Sequence, residues 1–132
     1  MIDFKTWLPQ IVGYCELVVD DMMLRRAWIE HDFTETSVTD FDELYEQVFD
    51  DLDAGHFAAN LHTHLPNSER MATTIAEFIE TLQEMDQVRT ESSALRNASS
   101  LLNSGQWQLV RKSAFSVLAA VQQEAKQKRT RG

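Results

Sequence analysis

Apolar side chains recur every three or four residues in the first part of the chain, from about Trp7 to Trp28. This spacing places them on one face of an α-helix and predicts that the face is buried. The face comprises Phe4, Trp7, Leu8, Ile11, Val12, Cys15, Val18, Val19, Met22 and Met23. Thr6 is the predicted N-cap, and Pro9 then falls in the first turn, where its missing N–H is harmless.

A second helix is predicted to begin at Asp40, because Asp40 and Glu43 have the spacing of a capping box. Its apolar stripe consists of Phe41, Leu44, Tyr45, Val48, Phe49 and Leu52. Gly55 is placed as the C′ residue that ends this helix. Residues 56–65 are ambiguous, with one more short helical stretch as an option, and Pro66-Asn67-Ser68 then breaks the chain.

Ser68 is the predicted N-cap of a third, long helix. Its core positions are Met71, Ile75, Phe78, Ile79, Leu82 and Met85. A further helix from Ser92 to Asn103 either continues from the third one or follows a kink near Thr90. Its inward positions are Ala94, Leu95, Ala98, Leu101 and Leu102.

Ser104-Gly105 predicts a tight stop before the last helix, which runs from about Gln106 to Lys126. The inward positions of this helix are Trp107, Val110, Ala114, Val117, Leu118 and Val121. The tail is expected to fray because it holds few apolar residues. Its basic residues are Lys126, Lys128, Arg129 and Arg131.

These segments predict an all-α, single-domain bundle of four to five mostly antiparallel helices over residues 1–126, followed by a basic tail over 127–132. The scarcity of glycine and proline, four and two residues, also favours helices over β-hairpins. In one place the chain resembles the small-x-x-large pattern of a tetratricopeptide repeat hairpin, at Ala98, Leu101, Gly105 and Trp107. A repeat fold needs several copies, so this single match indicates an ordinary αα-hairpin turn.

Charge is distributed unevenly along the chain, whose formal net charge is −9. Residues 27–69 contain eleven acidic residues, all four histidines and no lysine or arginine, whereas the remainder holds twelve basic and ten acidic residues. Such a one-signed block attracts basic partners and repels nucleic acid and anionic lipid. We therefore expect no direct binding to nucleic acid or to membranes.

The cellular compartment is predicted from two absences in the sequence. Cys15 is the single cysteine, so no internal disulfide forms, which is typical of a reducing compartment. Neither a targeting segment nor a long apolar run is visible, and a cytoplasmic location is expected.

The acidic block predicts a docking surface for a basic protein within residues 30–53, although a merely solvated acidic face is the competing interpretation. The expected contact residues are Glu35, Asp42, Glu43, Tyr45, Glu46, Asp50, Asp51 and Asp53. The most concrete version is an immunity protein or antitoxin that neutralises a nuclease toxin by occupying its nucleic-acid groove. A calcium loop is not predicted, because these acids lie on a predicted helix and lack EF-hand spacing.

Two enzymatic alternatives stay open, although no cofactor and no catalytic residue is expected. Arg26 and His31 have the Arg-x-x-x-x-His spacing that resembles the motif of the higher-eukaryote-and-prokaryote nucleotide-binding ribonucleases. That resemblance implies a small helical bundle and a composite RNA-cleaving site across a dimer. The other alternative is a metal-dependent bundle enzyme that uses His56, His62 and His64 with Asp53.

A third class is a secretion or assembly chaperone, which would show an exposed apolar groove instead of an acidic surface. For the oligomeric state, a monomer is favoured over a homodimer because two acidic faces would repel each other. A dimer would use the other helices, or pair the basic tail of one chain with the acidic segment of its neighbour.

Overall fold

The computed structural model describes residues 2–131, with side chains for residues 2–127, and within that part the chain is helical and contains no strand. The α-helices are α1 (Phe4–Val19), α2 (Asp21–Trp28), α3 (Phe41–Glu46), α4 (Ala54–Ala58), α5 (Leu61–His64), α6 (Glu69–Glu91), α7 (Ala98–Leu102) and α8 (Gly105–Arg131). A π-helical turn, Gln47–Asp51, continues α3, and a 3-10 turn, Ser93–Arg96, precedes α7. The all-α prediction is confirmed.

The two longest helices, α6 and α8, form the centre of the bundle and run antiparallel. Hydrogen bonds at successive levels establish their direction: Ser68 with Glu124 at 2.8 Å, and Thr81 with Ser113 at 2.9 Å. Helix α1 packs on α8 as well. All six core positions predicted for the third helix are buried, as the helical spacing requires.

The first predicted helix is two helices, because the chain breaks at Asp20. The carboxylate of Asp20 accepts a hydrogen bond from the Met23 N–H at 3.2 Å and so caps α2. The break changes the phase of the apolar face, and Met22, predicted to be buried, is 71% exposed. The Thr6 cap is also wrong: α1 begins earlier, at Phe4, and Asp3 accepts from the Thr6 N–H at 2.8 Å. Pro9 consequently lies beyond the first turn.

The predicted start of the second helix is confirmed, and its predicted end is wrong. Asp40 caps α3 by accepting from the Glu43 N–H at 2.8 Å. The helix then widens into the π turn, in which the Leu52 N–H donates to the Gln47 carbonyl at 3.0 Å. The chain reverses at Asp53, whose φ is 49°, and Gly55 lies inside α4.

The segment predicted as one helix over 92–103 is the 3-10 turn followed by α7. Leu101 and Leu102 are buried as predicted, whereas Ala94 is exposed. Ser104 ends α7 and its hydroxyl accepts from the Trp107 N–H at 3.1 Å, which starts α8. The last helix extends past its predicted end at Lys126, because α8 continues to Arg131 and the backbone of the segment expected to fray is helical.

Aromatic side chains contact one another in the core. Trp7 and Trp107 are fully buried, and Trp107 lies 5.6 Å from Trp28 and 6.2 Å from Phe41 between ring centroids. Burial of each such side chain stabilises the fold by roughly 1.5–3 kcal/mol. Phe41 is the first residue of α3, so this cluster fixes the acidic helix on α8. Among the described helices none is both long and apolar enough to cross a membrane.

Candidate protein-binding site

Helix α3 and its π turn bury one side and present carboxylates on the other. Leu44 and Val48 are fully buried, while Glu46, Asp50 and Asp51 are exposed. We call the carboxylates of this continuous helix the acidic face; its members are Asp42, Glu43, Glu46, Asp50 and Asp51. The apolar stripe predicted from the sequence is thus what orients the acids towards solvent.

The π turn carries the last two members of the acidic face. A π turn adds a residue to the helical repeat, is rare, and occurs frequently at functional sites. Here it changes the angular position of Asp50 and Asp51 relative to Asp42 and Glu46.

Arg89 of α6 neutralises one edge of the acidic face. Its guanidinium lies 2.6 Å from the Asp42 carboxylate and 2.9 Å from Asp86, and it stacks 5.1 Å from the centroid of the Phe41 ring. Asp42 is therefore one partner of an intramolecular ion pair. Sequence reasoning missed Arg89, because nothing near it in the chain indicates that α6 passes beside α3.

Two other predicted contact residues lie apart from the acidic face. Glu35, in the connection between α2 and α3, is paired with the Arg26 guanidinium of α2. This bond and the charge of Glu35 raise the pKa of Arg26. Asp53 is half-buried after the π turn and caps nothing with its side chain. Within the acidic face, the carboxylates without an arginine partner among the described side chains are those of Glu43, Glu46, Asp50 and Asp51.

A chain of hydrogen bonds ties the acidic face to α1. The Tyr14 hydroxyl donates to the Gln47 Oε1 at 2.7 Å, and the Gln47 Nε2 donates to Glu43 at 2.8 Å. Glu43 is therefore held in place on the helix surface, while its charge is not neutralised. Sequence reasoning missed Gln47, although its i,i+4 spacing from Glu43 is a recognisable signal.

The predicted aromatic anchor, Tyr45, is half-buried and packs its ring 4.4 Å from that of Phe49. Burial raises the pKa of Tyr45, and the charges of Asp86 and Asp50 add to this effect. For Tyr14, burial and then the charges of Asp51 and Glu43 raise the pKa. Burial first, and the charges of the neighbouring carboxylates second, thus favour the neutral form of both phenols.

Raised phenol pKa values make the fold sensitive to alkali. Above a pH of about 10 the unfolded phenols lose protons that the folded ones retain, so the free energy of unfolding should decrease as pH rises through this range. Urea unfolding at pH 8 and at a pH of about 10.5 measures the decrease. The chain has two tyrosines, so Tyr14→Phe/Tyr45→Phe removes both phenols. An equal decrease in wild type and double variant would contradict the assignment.

The residues that resemble the ribonuclease motif have separate surroundings. Arg26 is engaged by Glu35, as described above, whereas His31 is exposed at the end of α2 with a φ of 60°. The His31 ring lies 6.2 Å from that of Phe33. The Arg26 guanidinium, which an RNA phosphate would need, is therefore already bound by Glu35.

No group of three His, Cys, Asp or Glu side chains in the described part of the chain is placed to hold a metal ion. Two of the three histidines proposed as ligands contact aromatic rings: His64 stacks on Phe4 with centroids 4.4 Å apart, and His56 meets Phe57 edge-on at 5.3 Å. The metal-dependent alternative gains no support from these side chains.

Comparison of the chain with protein-family models, with curated proteins and with solved structures finds no match. The function is therefore argued from the geometry of the chain itself.

Proposed function

We propose that this protein is a non-enzymatic binding protein that engages a basic protein partner through its acidic face. The observation that carries the proposal is that Glu46, Asp50 and Asp51 are exposed and have no ion-pair partner among the described side chains. These carboxylates are exposed on a helix whose opposite side is buried, and none of the ion pairs among the described side chains reaches them.

The position of the arginines argues against a face that serves solubility alone. Arg89 pairs with the acid at the start of α3, and Arg26 pairs with Glu35 before it. Among the described side chains the central acids have no such partner, although each pair of like charges at i,i+4, such as Glu46 and Asp50, weakens a helix by a few tenths of a kcal/mol. A docking surface accounts for keeping these acids uncompensated, because a one-signed patch steers a basic partner into place.

A nuclease is the partner that fits this surface most concretely. Carboxylates on adjacent turns of a helix lie roughly 5–6 Å apart at their Cβ atoms and so form a row of negative charges, as the phosphates of a nucleic-acid strand do. A rigid row of carboxylates can therefore occupy a groove built for phosphates. The Asp40 cap and the buried Phe41 supply that rigidity. In this proposal the protein is an immunity protein or antitoxin, and it acts as a monomer.

The test compares two variants that change the net charge equally. Glu46→Gln/Asp50→Asn/Asp51→Asn neutralises the acidic face, and Glu77→Gln/Glu80→Gln/Glu84→Gln neutralises three exposed acids of α6. The partner is captured by affinity purification from the cells that naturally produce this protein. It is then identified by mass spectrometry and purified. Its affinity for the first variant should be about 10- to 100-fold lower at low salt, because charge pairs across the interface are lost. Its affinity for the α6 variant should equal that of wild type.

Two results would contradict the proposal: equal affinity of the partner for both variants, and affinity that does not decrease with salt. The nuclease version has its own readout, since stoichiometric addition of this protein should stop nucleic-acid cleavage by the purified partner. A basic partner that binds through the acidic face but cleaves no nucleic acid would reject the nuclease version alone.

A further inference from the structure

A cleft of about 550 Å³ separates the end of α2 and the loop after it from residues 96–99. This volume is within the range of small-molecule sites, roughly 300–1,000 Å³. The cleft lies outside the acidic face. It was not predicted from the sequence, because the two segments that form it are far apart along the chain.

One wall of the cleft is apolar and firmly supported. Ile29 and Phe33 line it and are 38% and 42% exposed, so they present apolar surface to the cavity. Behind them Trp28 is held by its indole N–H, which donates to the Val38 carbonyl at 3.0 Å, and by its ring contact with Trp107. This wall suits the apolar body of a ligand.

Two of the other lining residues, Arg96 and Asn97, offer N–H donors that bond to no acceptor among the described residues. Arg96 enters no ion pair among the described residues, and the Asn97 side chain uses its oxygen to cap α7 by accepting from the Ser100 N–H, which leaves its amide N–H groups. Ser99 adds a hydroxyl. A single carboxylate lines the cleft, that of Asp40, and one of its oxygens is already bonded to the Glu43 N–H. The guanidinium N–H groups of Arg96 and the amide N–H groups of Asn97 therefore have no acceptor among the described residues, and a ligand can supply one.

The backbone of His31 has an unusual conformation at the edge of this cleft. His31 lines the cleft and adopts a φ of 60°, a conformation that usually falls to glycine or asparagine after a helix and that costs other residues roughly 1–2 kcal/mol. Held there, the imidazole adds another polar group at the cleft.

We propose that this cleft binds a small amphipathic anion, an apolar aromatic or aliphatic body that carries one carboxylate or phosphate group. The body lies against Ile29 and Phe33. The anionic group accepts hydrogen bonds from the Arg96 guanidinium and the Asn97 amide. Binding here is independent of the basic protein partner of the acidic face.

The probes are 2-naphthylacetate and 2-naphthyl phosphate, which distinguish the two anionic groups, with neutral 2-naphthylacetamide as control. Binding to the full chain is followed by amide chemical shifts in ¹H–¹⁵N NMR spectra. At least one anion should shift the amides of His31, Asn97 and Ser99 and saturate below about 10 mM, and the neutral amide should bind at least about tenfold more weakly.

Two variants that change the cleft charge in opposite directions test the assignment. Arg96→Gln should weaken anion binding at least about tenfold, because it removes a charged hydrogen-bond donor. Asp40→Asn should strengthen it about two- to fivefold by removing a like charge, and asparagine still caps α3. Arg70→Gln, the same change at an exposed arginine of α6 outside the cleft, should leave the affinity unchanged.

The proposal is overturned if neither anion saturates, if the neutral amide binds as tightly as the anions, or if Arg96→Gln and Arg70→Gln have the same affinity. Weaker anion binding by Asp40→Asn would overturn it as well, since the carboxylate would then contribute to binding instead of repelling the anionic group. Spectra of each unliganded variant show whether the fold is intact. A carboxylate-only or phosphate-only response supports the proposal and identifies the anionic group.

Discussion

Replacement of Trp107 with alanine should lower the free energy of unfolding by about 3–5 kcal/mol, a large part of what a domain of this size possesses. Trp107 is fully buried on α8, and its ring contacts Trp28 of α2 and Phe41 of α3. Alanine would leave a cavity where three helices meet. Urea unfolding monitored by circular dichroism measures the loss.

Trp107→Phe is the matched control, because it keeps an aromatic ring in the same place. It also removes the indole N–H, which is buried without a hydrogen-bond partner in the described structure and is therefore already a cost. The free energy of unfolding should consequently decrease by less than about 2 kcal/mol. If the two variants were equally destabilised, the ring contacts would not be the source of the stability.

The long helices could be predicted from the sequence because their apolar spacing is sustained. Over α6 the apolar spacing is sustained from Met71 to Met85, and all six predicted core positions are buried, with Thr74 buried beside them. Periodicity of this length identifies a helix reliably because burial of one face stabilises it more than local propensity does.

The break at Asp20 shows where the same reasoning fails. Apolar residues continue at helical spacing through Met22 and Met23, so the pattern alone extends the helix. The competing term is local: a carboxylate that accepts from the N–H three residues later stabilises a new helix start. Asp20 followed by the acidic Asp21 is a recognisable signal for the start of a helix. The apolar spacing alone does not register this signal and so predicts one helix.

The charge of the candidate site could be predicted, and its pairing could not. The count of acids in residues 27–69 is a property of the sequence. Which of them are neutralised depends on Arg89 and Arg26, and the first of these reaches Asp42 only because α6 packs beside α3. The π turn at Gln47–Asp51 could not be predicted either, since the apolar and polar pattern does not specify i→i+5 hydrogen bonds.

Cys15 should be almost inert to thiol reagents in the folded protein. Its side chain is fully buried on α1, and burial raises the pKa of the thiol, with the neighbouring charge of Glu16 acting in the same direction. Both effects oppose formation of the thiolate, the reactive species. Labelling should therefore be at least about 10³-fold slower than in denaturant, because it requires opening of the core.

The same reaction provides an independent check on Trp107→Ala. Where opening is rapid compared with modification, the labelling rate follows the population of the open state. A loss of 3–5 kcal/mol should then accelerate labelling of Cys15 by about 10²- to 4 × 10³-fold, since each 1.4 kcal/mol is a factor of ten. Trp107→Phe should accelerate it far less. If Trp107→Ala lowered the free energy of unfolding but left the labelling rate unchanged, Cys15 would be exposed by local opening of α1. The buried thiol would then report on α1 alone, and not on the common core that supports the acidic face.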